Sequence, residues 1–167
     1  MPPTDQYQDP IMKKYIELIT NSTKIFKSVY YGDPIRIPAS SLPALIVTKL
    51  DTKAGKLTSA EDEHEVHMSF TVVTDIRDTL SEDKTMAAGT NVLYNIMEGR
   101  NANYTLKDDS LLNILRHTID IDPTYNLRTD LKTVTSIDYG MTVGKRGENS
   151  IAMEAVINIV ANFNQVR

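Results

Sequence analysis

The sequence predicts an α+β fold: a mostly antiparallel four-stranded sheet flanked by two or three helices, in the order α-β-β-α-α-β-β. Three observations predict it. An apolar stripe at helical spacing opens the chain, a strict alternation runs through Val66, Met68, Phe70 and Val72, and two strand-like runs close the chain around a glycine-marked turn. With 167 residues, 41% of them apolar and 24% charged, the chain has material for one core. Residues 1–167 are therefore expected to form a single domain, with a loose polar N-terminal arm at 1–8.

Asp9 followed by Pro10 predicts a helix start. A capping carboxylate satisfies free backbone amides, and a proline in the first helical position has no amide to leave unpaired. Ile11, Tyr15, Leu18, Ile19, Phe26 and Val29 recur at spacings of three, four and seven, which predicts an amphipathic helix of about five turns over Ile11–Val29. Tyr31-Gly32-Asp33-Pro34 breaks it. Pro38 and Pro43 then hold the chain extended as far as a first strand at Ala44–Leu50, where Ile46 and Val47 suggest burial on both faces.

Residues 51–63 carry only Ala54, Leu57 and Ala60 as apolar side chains, with Gly55 between Lys53 and Lys56. Such a stretch buries too little to order itself, so a long mobile loop or the tip of an extended hairpin is expected. The return strand, His67–Ile76, lies in the clearest pattern of the chain. Val66, Met68, Phe70 and Val72 alternate with Glu65, His67, Ser69 and Thr71, giving one core face and one polar face.

Thr79-Leu80-Ser81-Glu82 reads as a capping box for a helix over Ser81–Glu98, with Met86, Leu93, Ile96 and Met97 as its stripe and Gly99 as its stop. Asp109 or Ser110 caps a shorter helix carrying Leu111, Leu112, Ile114 and Leu115, and Asp122-Pro123 ends that region. A second hairpin, Leu131–Phe163, completes the sheet around the turn Gly144-Lys145-Arg146-Gly147-Glu148-Asn149. Its last strand is apolar on both sides: Ile151, Met153, Ala155, Ile157 and Ile159 on one, Ala152, Val156 and Val160 on the other. Cover for the second side would come from helices sandwiching the sheet or from a neighbouring subunit.

The chemistry available is narrow. Eighteen basic against 22 acidic residues leave a net charge of −4, which argues against a protein that grips nucleic acid by its phosphates. The absence of cysteine removes thiolate ligands, thiol nucleophiles and disulfides together. No apolar run approaches the roughly 20 residues that span a bilayer, and MPPTDQYQDP lacks the order of a signal peptide, so an intracellularly made soluble protein is expected. His64-Glu65-Val66-His67 echoes a zinc protease motif, but its histidines are three apart in a strand-like segment and face opposite ways. Glu63, Glu65 and His67 share a face and offer at most a weak ion site. His117 suits a helix C-terminus. The carboxylate pairs Asp108-Asp109, Asp120 with Asp122, and Glu61-Asp62-Glu63 read as caps or solvated loops rather than an acid–base pair. Gly144–Gly147 lacks the strand–loop–helix setting of a phosphate cradle. No catalytic residue, metal or cofactor is predicted.

One layout does match. The amphipathic helix Ile11–Val29 leads through Ile37-Pro38-Ala39-Ser40-Ser41-Leu42-Pro43 into the strand Ala44–Leu50. The polar hairpin loop 51–63, the return strand His67–Ile76, the crossing helix Ser81–Glu98 and the hairpin Leu131–Phe163 follow. In this order the chain resembles the tail terminator, or tail completion, proteins of long-tailed, lambda-like bacteriophages.

The resemblance implies a structural virion protein, not an enzyme. It implies a homo-hexameric ring in the neck region of the tail, assembled in the host cytoplasm, that caps the tail tube and stops its polymerisation. Its partners would be other copies of itself, the tail tube protein and a head-completion or connector protein. DNA would pass through without specific binding, and no membrane is involved. Under this resemblance Lys53, Lys56, Leu57, Lys145 and Arg146, at the hairpin tips, are candidates for subunit or tube contacts. Glu61, Glu63 and Glu65 are candidates for an acidic lumen that repels phosphates. The competing readings are another head–tail connector or a tube subunit, and a small soluble enzyme with a site assembled from Asp, His and Tyr.

Overall fold

A computed structural model of the chain describes residues 9–56, 59–76, 86–116, 134–140 and 151–166. Asp9 caps helix α1 (Pro10–Ser22), its carboxylate accepting from the amides of Ile11 at 2.9 Å and Met12 at 3.4 Å. The helix is shorter than its apolar spacing predicts. Thr20, Asn21, Ser22 and Thr23 are poor helix formers, and the Thr20 hydroxyl turns back to the carbonyls of Ile16 and Glu17. Thr23 is already extended, at φ −139 and ψ 144.

Phe26 and Val29 therefore lie beyond the helix, and Ser28–Tyr31 forms a strand, β1, that the helical reading absorbed. Val29 is buried, as helical spacing also required, but it reaches the core from a strand. The Val29-Tyr30-Tyr31 run is β-branched and aromatic, which suits a pleated backbone better than a helix. Gly32, at φ +79, ends β1 in a conformation that only glycine adopts freely.

β1 pairs in parallel with β2 (Ala44–Lys56), Val29 lying opposite Leu45. Parallel neighbours need a crossover of about a dozen residues. Residues 32–43 supply it, with a short 3₁₀ turn at Ala39–Ser41 and a cis Leu42-Pro43 bond. β2 turns back into β3 (Glu61–Asp75), which pairs antiparallel along its whole length with β5 (Ala152–Val166). β4 (Val134–Tyr139) closes the other side, so the order is β1-β2-β3-β5-β4. The sheet is thus mixed and five-stranded rather than antiparallel and four-stranded, and the parallel β1 is the difference.

Residues 51–56 and 61–63 are strand, so of the two expectations for 51–63 the extended hairpin is the one observed. Pairing through the backbone makes up for the missing apolar side chains. A β-bulge between Lys49 and Asp51 restores the register after Leu50, which stands 58% exposed.

Val66, Met68, Phe70 and Val72 are fully buried on one face of β3 with Ala155, Ile157, Ile159 and Ala161 of β5. The same core takes Met12, Tyr15, Ile16 and Ile19 of α1, Leu93, Ile96 and Met97 of α2 (Met86–Glu98), and Leu111, Leu112, Ile114 and Leu115 of α3 (Leu111–Arg116). The Tyr15 and Phe70 rings meet at 5.7 Å. Gly89 lets α2 approach the sheet: a Cβ there would stand 2.6 Å from the Met153 sulfur and 3.0 Å from Ile76. Ser110 caps α3, its buried hydroxyl accepting from the Asn113 amide at 3.4 Å.

All three described helices pack into the core on that one face, so they do not sandwich the sheet. On the opposite face a second, smaller core joins Ala44, Ile46, Val73 and Ala152 to Ile37 and Leu42 of the crossover. That face also carries Thr48, His67, Ser69, Thr71, Ser136, Asp138, Asn158 and the half-buried Val156 and Val160. The arm at 1–8, the capping box at 79–82, Leu57, His117, Asp120, Asp122-Pro123, Leu131 and the turn 144–149 lie outside the described residues.

Candidate interaction surfaces

The three central strands outrun the core. Burial on the helix-covered face stops at Val66 and Ala161, yet β2 continues to Lys56, β3 begins at Glu61 and β5 ends at Val166. The result is an arm in which Lys53, Glu65 and Asn162 share one rung, Ala54, His64 and Phe163 the next, and Gly55, Glu63 and Asn164 the one after. Glu63, Glu65 and His67 share a face by strand period, as the sequence predicts, and β3 begins early enough to add Glu61 to it. β2 places Lys53 opposite Glu65 on that face, so the acidic row carries a cation at one rung. Lys53 is exposed; Lys56 ends β2, opposite Asp62. Leu57, Lys145 and Arg146, the remaining candidate contacts, lie outside the described residues.

His64 and His67 fall on opposite faces, as odd spacing in a strand requires. His67 stands between Asp51, at 3.8 Å, and Glu65, at 3.7 Å, both longer than a hydrogen bond. Among the described residues no group of three or more histidine and carboxylate side chains is arranged to hold a metal ion. Asp108 and Asp109 are exposed ahead of α3.

Two features stand at opposite edges of the sheet. At the β1 edge, the end of α1 and the turn into β1 enclose an open cleft of about 450 Å3, lined by Thr20, Thr23, Lys24, Phe26, Lys27 and Val29 among others. At the β4 edge, the Tyr139 hydroxyl donates to Glu98 at the end of α2 at 2.9 Å, and Glu98 lies 3.7 Å from Arg100. Burial, the hydrogen bond to Glu98 and the Glu98 charge together push the Tyr139 phenol well above its ordinary value. Arg100 starts a tight loop closed by a bridge to Leu106, with Tyr104 at its tip. No protein-family model and no curated protein matches this chain. No described helix is long and apolar enough to cross a membrane.

The extended hairpin at 51–63 is one of the two readings its composition offers. The Tyr104 loop was not singled out, although Gly99 and the pair Asn101 and Asn103 are turn-forming residues around an aromatic one. The cleft depends on where α1 stops, and the apolar spacing concealed that point.

Proposed function

We propose that this chain is a structural virion protein of the tail-terminator kind, forming a ring that caps a tail tube, stops its polymerisation and offers a docking surface to the head. The observation that carries the reading is the arm. A three-stranded extension that outruns its own core, with polar and charged rungs at Lys53, Glu65 and Asn162 and at Lys56, Asp62 and Gln165, has the form of a surface completed by neighbours. A net charge of −4 and the acidic row Glu61, Glu63 and Glu65 suit a lumen through which DNA slides without being held. A tail tube subunit is the second reading, favoured by the fifth strand and the long hairpin.

Sedimentation of the purified protein tests the proposal against a small enzyme. A ring-sized species, or monomers that assemble on tail tubes, supports a virion role. A monomer that ignores tubes and melts higher with a small ligand overturns it.

A further inference from the structure

We propose that copies of this chain join head to tail, the Tyr104 loop of one copy seating in the cleft between α1 and β1 of the next. The inference rests on the ring reading above and names the contact that would build the ring.

Tyr104 is the one described non-glycine residue at positive φ, 69°, and its side chain is 75% exposed. A bulky residue in that region is strained and persists only where its surroundings hold it. Here the surroundings are the loop itself. The Tyr104 amide donates to the Asn101 carbonyl at 2.9 Å, the Asn101 amide to the Thr105 carbonyl at 2.8 Å, and the Lys107 amide to the Gly99 carbonyl at 2.8 Å. Asn103 Oδ1 accepts from both the amide and the hydroxyl of Thr105. Arg100 donates to the Tyr104 carbonyl at 3.1 Å and lays its guanidinium 4.7 Å from the ring centroid. So much bracing leaves an aromatic side chain outward and already ordered, which is how an interface anchor avoids the entropy cost of binding.

A complementary surface exists on the same chain. The cleft at the other edge of the sheet has the half-buried Phe26 as its apolar side chain, with the buried Val29 at its base, and Ile25 beside them is 38% exposed. Its volume of about 450 Å3 admits an aromatic ring. Lys24 and Lys27 on the cleft are exposed, and so are Asp108 and Asp109, which follow the Tyr104 loop after the exposed Lys107, so the carboxylates leave this stretch with one net negative charge to face the two lysines. Glu98 ties the loop to β4, whereas the cleft includes β1, so anchor and socket occupy opposite edges of one sheet. A protrusion on one edge and a socket on the other make a heterologous contact, which closes into a ring when the rotation allows.

The chain contains no cysteine, so the contact can be tested by crosslinking with introduced thiols. The double variant Asn21→Cys/Ala102→Cys, which places exposed thiols on the cleft and on the loop while keeping Tyr104 and the lysines, should give a ladder of linked oligomers when treated with a short bismaleimide, in free protein at rising concentration or on isolated tails. Either single variant should give none beyond background. Tyr104→Ala should weaken self-association roughly tenfold or more with an unchanged melting curve. Lys24→Glu/Lys27→Glu should weaken it likewise, with recovery when mixed with Asp108→Lys/Asp109→Lys. Oligomers or tail-bound copies that never crosslink through these positions overturn this contact and leave the ring reading standing. A protein that stays monomeric and binds no tails overturns both.

Discussion

Asp9 caps α1 and, through its other carboxylate oxygen, pairs with Lys49 of β2, so one residue both starts the helix and docks it on the sheet. Burial alone would raise its carboxyl. The hydrogen bond from Lys49, the Ile11 amide, the Lys49 charge and the Met12 amide outweigh that and hold it below its ordinary 3.8. A depressed carboxyl contributes stability that is whole above the unfolded value and lost as pH falls through the folded one. Asp9→Ala is therefore expected to cost about 1–2 kcal/mol at neutral pH. The gap to wild type in denaturant unfolding should narrow as the pH drops below 3.8. A gap independent of pH would show that the charge contributes nothing.

Phe70 makes the simplest case at this scale. It is fully buried against Tyr15 on the central strand. Phe70→Asp would bury an unpaired charge and should prevent soluble folding, and Phe70→Ala should cost about 3–5 kcal/mol. A soluble Phe70→Asp protein that melts like wild type would show that this face is not core.

At the scale of elements, legibility followed the strength of the local pattern. The alternation around Phe70 and the cap at Asp9 were readable because each depends on residues close in sequence. β1 was not, because Phe26 and Val29 satisfy a helical period by chance, and only the partner strand β2 decides between the two backbones. The arm was half legible: its composition suggested mobility, but composition does not reveal the antiparallel ladder that β3 and β5 supply. That ladder changes what a protease should see. Lys53 lies within paired β2, so trypsin should cut there slowly in the native protein and quickly only after unfolding. Rapid native cleavage at Lys53 would restore the mobile loop.

The packing of α2 against the sheet gives a second element-scale prediction. Gly89→Val would drive a branched side chain toward Met153 and Ile76, at a cost of about 1–3 kcal/mol in thermal or denaturant unfolding. Unchanged stability would mean that α2 can lift off the sheet freely.

For the whole molecule, the helices cover one face, the crossover covers part of the other, and the central strands run past both cores. Among the described residues no group of three or more histidine and carboxylate side chains is arranged to hold a metal ion. What the arrangement does present is a projecting arm, a braced aromatic loop and a cleft on the opposite edge, all suited to contact with other subunits. The candidate contacts at the hairpin tips came from composition, whereas the loop and cleft emerge only when distant segments fold together. Electron microscopy of tails assembled without this protein tests the structural reading most directly. The account predicts tubes that run beyond their normal length, because nothing stops their growth; tails of normal length that join heads would contradict it.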